Sequence, residues 1–145
     1  MDAPLDCLLE LTGARATGLW IREHDELRCL GFRAVEDMPE EVRAGFAAAT
    51  NVVSLEQTGL GIVKAVTTCR PTVATVDELG SNLVGSASWL VRFECRRSLA
   101  VPVISDSTGL AVAVLAISTP RLLEPEWPEW NLMIQVAHEL SGGLG

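Results

Sequence analysis

The 145-residue sequence has no tyrosine, a single lysine (Lys64) and only two histidines, His24 and His138. Each scarcity removes a class of function. Two imidazoles so far apart in the chain make no histidine metal motif, and the four cysteines, Cys7, Cys29, Cys69 and Cys95, form no Cys-x-x-Cys pair. A zinc centre is therefore not expected. Widely spaced thiols of this kind read as small buried hydrophobes. Positive charge is short as well: eleven Lys and Arg face nineteen Asp and Glu, a formal net charge of −8. The densest cationic cluster is Arg92, Arg96 and Arg97, far from the basic surface that a nucleic-acid backbone or an anionic membrane demands. No nucleic-acid or membrane partner is expected. Long hydrophobic runs are also missing. The longest, Leu110–Ile117, has eight residues, against the roughly 20 of a membrane-spanning helix, and no basic segment with a cleavable apolar stretch opens the chain. The expectation is a soluble, cytoplasmic, single domain over residues 1–145.

What is present suits a packed fold: hydrophobic residues make up 48% of the chain and charged ones 21%, enough apolar surface to bury a core. Asp2-Ala-Pro4 opens a helix whose Leu5, Leu8, Leu9 and Thr12 share a face, with Gly13 closing it. Thr17–Glu23 and Glu26–Ala34 read as a hairpin turning at His24-Asp25. In its second strand, strict alternation puts Leu27, Cys29 and Gly31 on one face and Arg28, Leu30 and Phe32 on the other. A helix follows over Glu40–Ala49, then a short strand over Val52–Leu55. A second helix, Ile62–Thr68, stops before Arg70-Pro71, and Thr72–Val76 is another short strand. Asp77–Gly85 is a polar loop, and Ala87–Glu94 forms helical turns with Trp89, Leu90 and Phe93 on the apolar side. Ser98–Ile104 and Leu110–Ser118 are strands apolar enough to be covered on both faces. A final helix runs from Glu126 to about Ser141, carries Trp130, Met133, Ile134, Ala137 and Leu140 as its stripe, and ends at Gly142-Gly143. The order predicts an α+β fold with a largely antiparallel sheet.

Several of these segments resemble the GAF domain family in order and spacing. They are Thr58-Gly-Leu-Gly-Ile62 with the helix after it, Cys69-Arg-Pro-Thr-Val73, Arg97-Ser-Leu-Ala-Val-Pro-Val103, and Gly109-Leu-Ala-Val-Ala-Val-Leu-Ala-Ile117. The closing helix from Trp127 falls where GAF domains end, so the resemblance covers almost the whole chain. It implies a GAF-like, PAS-related fold. A central antiparallel sheet of five or six strands carries the terminal helices on one face and a pocket with short helices on the other.

The resemblance does not imply one activity, because a fold hosts many functions. In the bilin-binding branch a Cys-His pair precedes the Val-Pro strand; aligned from Val101-Pro102, those positions here are Gly85 and Ser86, which cannot form the thioether. In the methionine sulfoxide reductase branch two cysteines attack and resolve the sulfoxide; their positions fall around Leu60–Gly61 and at Val91, and Ser98 replaces an acidic substrate ligand. Cys69 and Cys95 as a displaced thiol pair are the alternative that keeps an enzymatic reading alive. The Asn-Lys…Phe-Asp-Glu pattern of cyclic-nucleotide binders is absent, and haem has only His24 or His138 to draw on. Gly59-Leu60-Gly61 lacks the Gly-Lys-Ser/Thr ending of a phosphate loop. No cofactor is assigned.

The expected function is a non-enzymatic sensory or regulatory domain that binds a small molecule and signals through its terminal helices in a homodimer, to an output domain or partner protein. A ligand-free dimerisation module is the alternative. Candidate pocket residues are Trp89 as a stacking face, Ser86, Ser88 and Asn82 as hydrogen-bonding groups, and Arg92 as a cation. Trp20 joins them or belongs simply to the core, the reading preferred here. For Trp89, Leu90 and Phe93 the plainer reading is likewise the packed face of a short helix.

Overall fold

The computed structural model describes residues 2–75, 86–121 and 127–144. Helix α1 (Asp2–Thr12) leads into the hairpin β1 (Ala16–Glu23) and β2 (Glu26–Ala34), whose turn residue His24 has φ 57°. Then come α2 (Glu40–Ala49), β3 (Val52–Ser54), α3 (Gly61–Thr68), β4 (Thr72–Thr75), α4 (Ser86–Arg92), β5 (Arg97–Ile104), β6 (Ala111–Thr119) and α5 (Pro128–Leu144). The strands form one six-stranded sheet in the order β3-β2-β1-β6-β5-β4, every pairing antiparallel. The fold is thus α+β, as the element order predicts.

The sheet separates two cores. On one face Leu5 and Leu8 of α1 and Met133 and Ala137 of α5 pack against Leu19, Leu99, Val101, Leu115 and Ile117. The terminal helices therefore share a face. On the other face α3 buries Ile62, Val63, Ala65 and Val66 against Trp20, Ala100 and Val114. Further along that face, Leu90, Phe93 and Cys95 gather with Met38 and the partly buried Phe32, Phe46 and Trp89. Strands β5 and β6 are buried on both sides, which is why their sequences are apolar almost without interruption.

Two local expectations need correction. Strict alternation in β2 fails because the β1–β2 register shifts by one residue: Leu19 pairs with Gly31 but Trp20 pairs with Cys29. The extra residue, Leu30, is a bulge. It packs toward the terminal helices while Phe32 turns to the opposite face. Arg33 confirms the shift, since its Nε donates to Asp6 of α1 at 2.8 Å. At the other end, Gly142-Gly143 does not stop α5, which runs on to Leu144. Two glycines cost a helix about 1 kcal/mol each relative to alanine, and the tertiary packing of the preceding stripe carries the helix past them.

Candidate functional site

The second core is not filled. The cavity-facing positions of the central strands carry unusually small residues: Ala16 and Gly18 on β1, Ser98 and Ala100 on β5, Ala116 and Ser118 on β6. Across the β5–β6 ladder Ser98 pairs with Ser118 and Ala100 with Ala116, so the small side chains form a continuous floor. Above it stand Trp20, Phe32, Phe46, Trp89 and Phe93, with Leu60, Gly61 and Ile62 at the start of α3 as a further wall. About 50 Å³ remains open between floor and wall. Packed interiors hold few voids larger than a water molecule, so this space is a feature of the fold.

The aromatic wall has Phe46 at its centre. Its ring meets Trp20 at 6.1 Å and 86°, Trp89 at 5.1 Å and 82°, and Phe93 at 5.0 Å and 70°, all edge-to-face. It also lies 4.9 Å from Phe32. Edge-to-face rings at these separations attract through their quadrupoles. Helix α2, which delivers Phe46, is tied down by Arg43, whose Nη2 donates to the carbonyls of Val35, Glu36 and Met38. The C-terminal end of α4 is held by Arg15, whose Nε donates to the Phe93 carbonyl at 2.7 Å while its other nitrogens pair with Asp37 and Glu94.

Trp20 is both core and cavity wall. It is fully buried, lines the cavity, and donates from Nε1 to the Thr50 carbonyl at 2.8 Å. Trp89 lines the cavity too, half-buried at its edge. Arg92 is not in the lining: it is exposed, and its guanidinium carbon lies 4.5 Å from the centroid of the Trp89 ring, a cation–π stack. The structure thus brings Trp20 and Trp89 together through Phe46 and leaves Arg92 covering Trp89. Ser86 and Ser88 belong to α4, but their side chains lie outside the described residues, as does Asn82 altogether. The residues that sequence reasoning missed are Phe46, Phe32, Gly18 and the cavity role of Ser98 and Ser118.

The thiols do not converge. Cys69 caps α3, three residues before Thr72, and Cys95 precedes Arg97 by two. Thr72 pairs with Ala100 and Thr75 with Arg97, so the two cysteines lie off opposite ends of a ladder about 10 Å long. A disulfide needs Cα atoms within roughly 7 Å. Burial pushes the Cys95 thiol up to about 12, with Arg15 pulling the other way, and burial also raises that of Cys29. Among the described residues no cluster of three or more His, Cys, Asp or Glu could hold a metal. His24 and His138 are both exposed, one in the β1–β2 turn and the other on α5.

A family model described as GAF domain matches residues 5–141, nearly the whole chain. The chain belongs to the GAF domain family. Solved structures, GAF domains among them, superimpose on this one. The GAF domain region of a Geobacter sulfurreducens PCA protein matches with a TM-score of 0.73 at 12% identity, covering 98% of this chain and 88% of that one. The GAF domain of a two-component sensor histidine kinase from Bacillus halodurans matches at 0.70 and 9%, covering 99% and 92%. A type II free methionine-R-sulfoxide reductase from Thermoplasma acidophilum matches at 0.65 and 16%, covering 97% and 86%. No curated protein matches in sequence. At such identities the likeness establishes the GAF fold, which serves sensing and regulation in this family. No described helix is long and apolar enough to cross a membrane.

Proposed function

We propose that residues 1–145 act as one non-enzymatic GAF sensor that binds a small molecule between the sheet and the aromatic wall, and signals through α1 and α5 in a homodimer. The observation that carries this reading is the floor of small residues beneath five aromatic rings, with space left between them. The coupling follows from the strands themselves. Gly18 and Trp20 face the cavity while Leu19 between them packs toward α1 and α5, and Ala100 faces the cavity between Leu99 and Val101 on the helix side. A ligand that shifts β1 or β5 therefore moves both faces of the sheet, because close-packed layers transmit displacement.

The dimer part rests on the outer side of the terminal helices. Leu11 is 64% exposed, Trp127 41% and Ile134 38%, and a groove beside Leu11 and Leu132 runs along α5. An output domain or partner protein would read the paired helices. The separated Cys69 and Cys95, one of them a deeply buried thiol, support the non-enzymatic reading over a sulfoxide reductase.

Native mass spectrometry of protein purified without denaturation, beside its denatured mass, tests both halves. A mass excess lost on denaturation together with a dimer signal is the expected result. A bare dimer whose tryptophan emission responds to no small-molecule library would overturn the sensor reading in favour of a plain dimerisation module.

A further inference from the structure

We infer that this cavity selects a neutral, largely apolar molecule of about one small ring, carrying a hydroxyl or similar group that docks on Ser98 and Ser118. The inference deepens the small-molecule reading and rests on it. Size comes first. The cavity volume is about 50 Å³, about a third of the roughly 150 Å³ apolar cavity that takes benzene, so a single ring, admitted by movement of the wall, is the upper limit.

Charge comes second. No Asp, Glu, Lys, Arg or His lines the cavity among the described residues. Two cations touch wall residues from outside the lining: Arg92 lies on the Trp89 ring, and Arg15 donates to the Phe93 carbonyl. An anion or cation brought into this apolar space would lose its hydration with no counter-charge, a cost far larger than ring stacking returns.

Polarity comes third, and it fixes where the ligand's one polar group goes. Most polar side chains in the lining are already committed within the protein. Trp20 Nε1 donates to the Thr50 carbonyl, the Thr50 hydroxyl donates to the Phe46 carbonyl, and the Thr17 hydroxyl donates to the Ala116 carbonyl. The hydroxyls of Ser98 and Ser118 have no hydrogen-bond partner among the described residues, and they stand opposite each other across the β5–β6 ladder. Two adjacent hydroxyls that each donate and accept can hold one O–H or carbonyl group between them. They are the free polar capacity of the floor.

The test uses the whole chain and three single-ring probes, phenol, benzene and benzoate, titrated by calorimetry at pH 7 and followed by tryptophan emission, since Trp20 and Trp89 both line the cavity. Phenol should bind, benzene more weakly, and benzoate not measurably. In the double variant Ser98→Ala, Ser118→Ala the phenol affinity should fall roughly fivefold to tenfold toward that of benzene, the loss of about one hydrogen bond. Because these hydroxyls have no protein partner to lose, the variant's melting temperature should match or exceed that of the wild type. Equal binding of phenol and benzene, unmoved by the double variant, would overturn the serine inference and leave the small-molecule reading standing. Benzoate binding more tightly than phenol would overturn neutrality. Binding of none of the three would count against both the inference and the ring-sized limit it rests on.

Discussion

The indole of Trp20 folds back over Gly18, two residues earlier on the same face of β1. A Cβ built on Gly18 would stand 2.6 Å from Cζ3 of Trp20, closer than any real carbon contact. The glycine is what lets the largest buried side chain of the protein lie flat along its own strand. In that position Trp20 leaves the floor beside it clear and reaches the Thr50 carbonyl with its Nε1. One missing side chain thus helps to shape the cavity.

Gly18→Ala should therefore cost more than a usual glycine-to-alanine change in a strand, where alanine is ordinarily the better residue. The new methyl group must displace Trp20, breaking its hydrogen bond and pressing it toward Phe46. Overpacking of this kind costs about 1–3 kcal/mol. Chemical denaturation should show that loss, and the emission of Trp20 should shift as its environment changes. A variant as stable as the wild type would mean that the indole has another place to go.

Phe46 carries the aromatic wall, touching Trp20, Phe32, Trp89 and Phe93. Phe46→Ala should destabilise the domain by roughly 2–4 kcal/mol, somewhat under the range for a fully buried phenylalanine because Phe46 is only partly buried. It should also enlarge the cavity, so the variant should take up larger apolar probes than the wild type, whereas Phe46→Leu should lose less stability. Calorimetric titration with naphthalene-sized probes reads the enlargement directly. If Phe46→Ala unfolds outright, the leucine variant supplies the comparison.

Much of this arrangement is legible in the residues themselves. The paired acid and proline starts, the two-residue turn at His24-Asp25, and the apolar runs Ser98–Ile104 and Leu110–Ser118 all carry local signals, and the elements form where those signals are. The site is less legible, because it depends on faces. Phe32 sits on the cavity side only because Leu30 bulges, and a bulge leaves no mark in an alternating pattern. Phe46 falls four residues after Val42 on an otherwise alanine-rich helix, a spacing that puts both on one face, but two residues make a weak apolar stripe. Gly18 inside a strand was the signal most open to reading, since such glycines often mark a close approach.

The cysteines should separate cleanly by reactivity. Cys7 and Cys69 are exposed, whereas Cys95 is buried with its thiol pushed up to about 12 from an ordinary 9.0. At pH 7.5 a thiol-alkylating reagent should label the two exposed residues within minutes and leave Cys95 untouched until denaturant is added, because the thiolate is the reactive form. The same shift predicts alkaline sensitivity. Above about pH 9 the unfolded chain loses this proton while the folded one keeps it, so stability falls as pH rises toward 12. Cys95→Ala should flatten that decline. Rapid labelling of Cys95 in the native protein would show that its burial is readily opened.

The proposed dimer makes its own demand on α1 and α5. Their inner faces, Leu5, Leu8, Met133 and Ala137, belong to the core, so only outward residues can serve a partner. Leu11 and Ile134 are 64% and 38% exposed, and charge at either should barely change the stability of a monomer, within about 0.5 kcal/mol for ordinary surface substitutions. In a dimer through these helices, Leu11→Arg or Ile134→Arg would bury an unpaired guanidinium, which costs several kcal/mol. Sedimentation of the double variant should therefore show dissociation at concentrations where the wild type is paired, with the melting temperature of the monomer retained. Met133→Ala is the contrasting change: it opens the core and should lower stability by about 2–5 kcal/mol in either oligomeric state. A wild-type protein that sediments as a monomer even at high concentration would remove the dimer from the signalling scheme, and the exposed stripe would then need a partner other than a second copy of this chain.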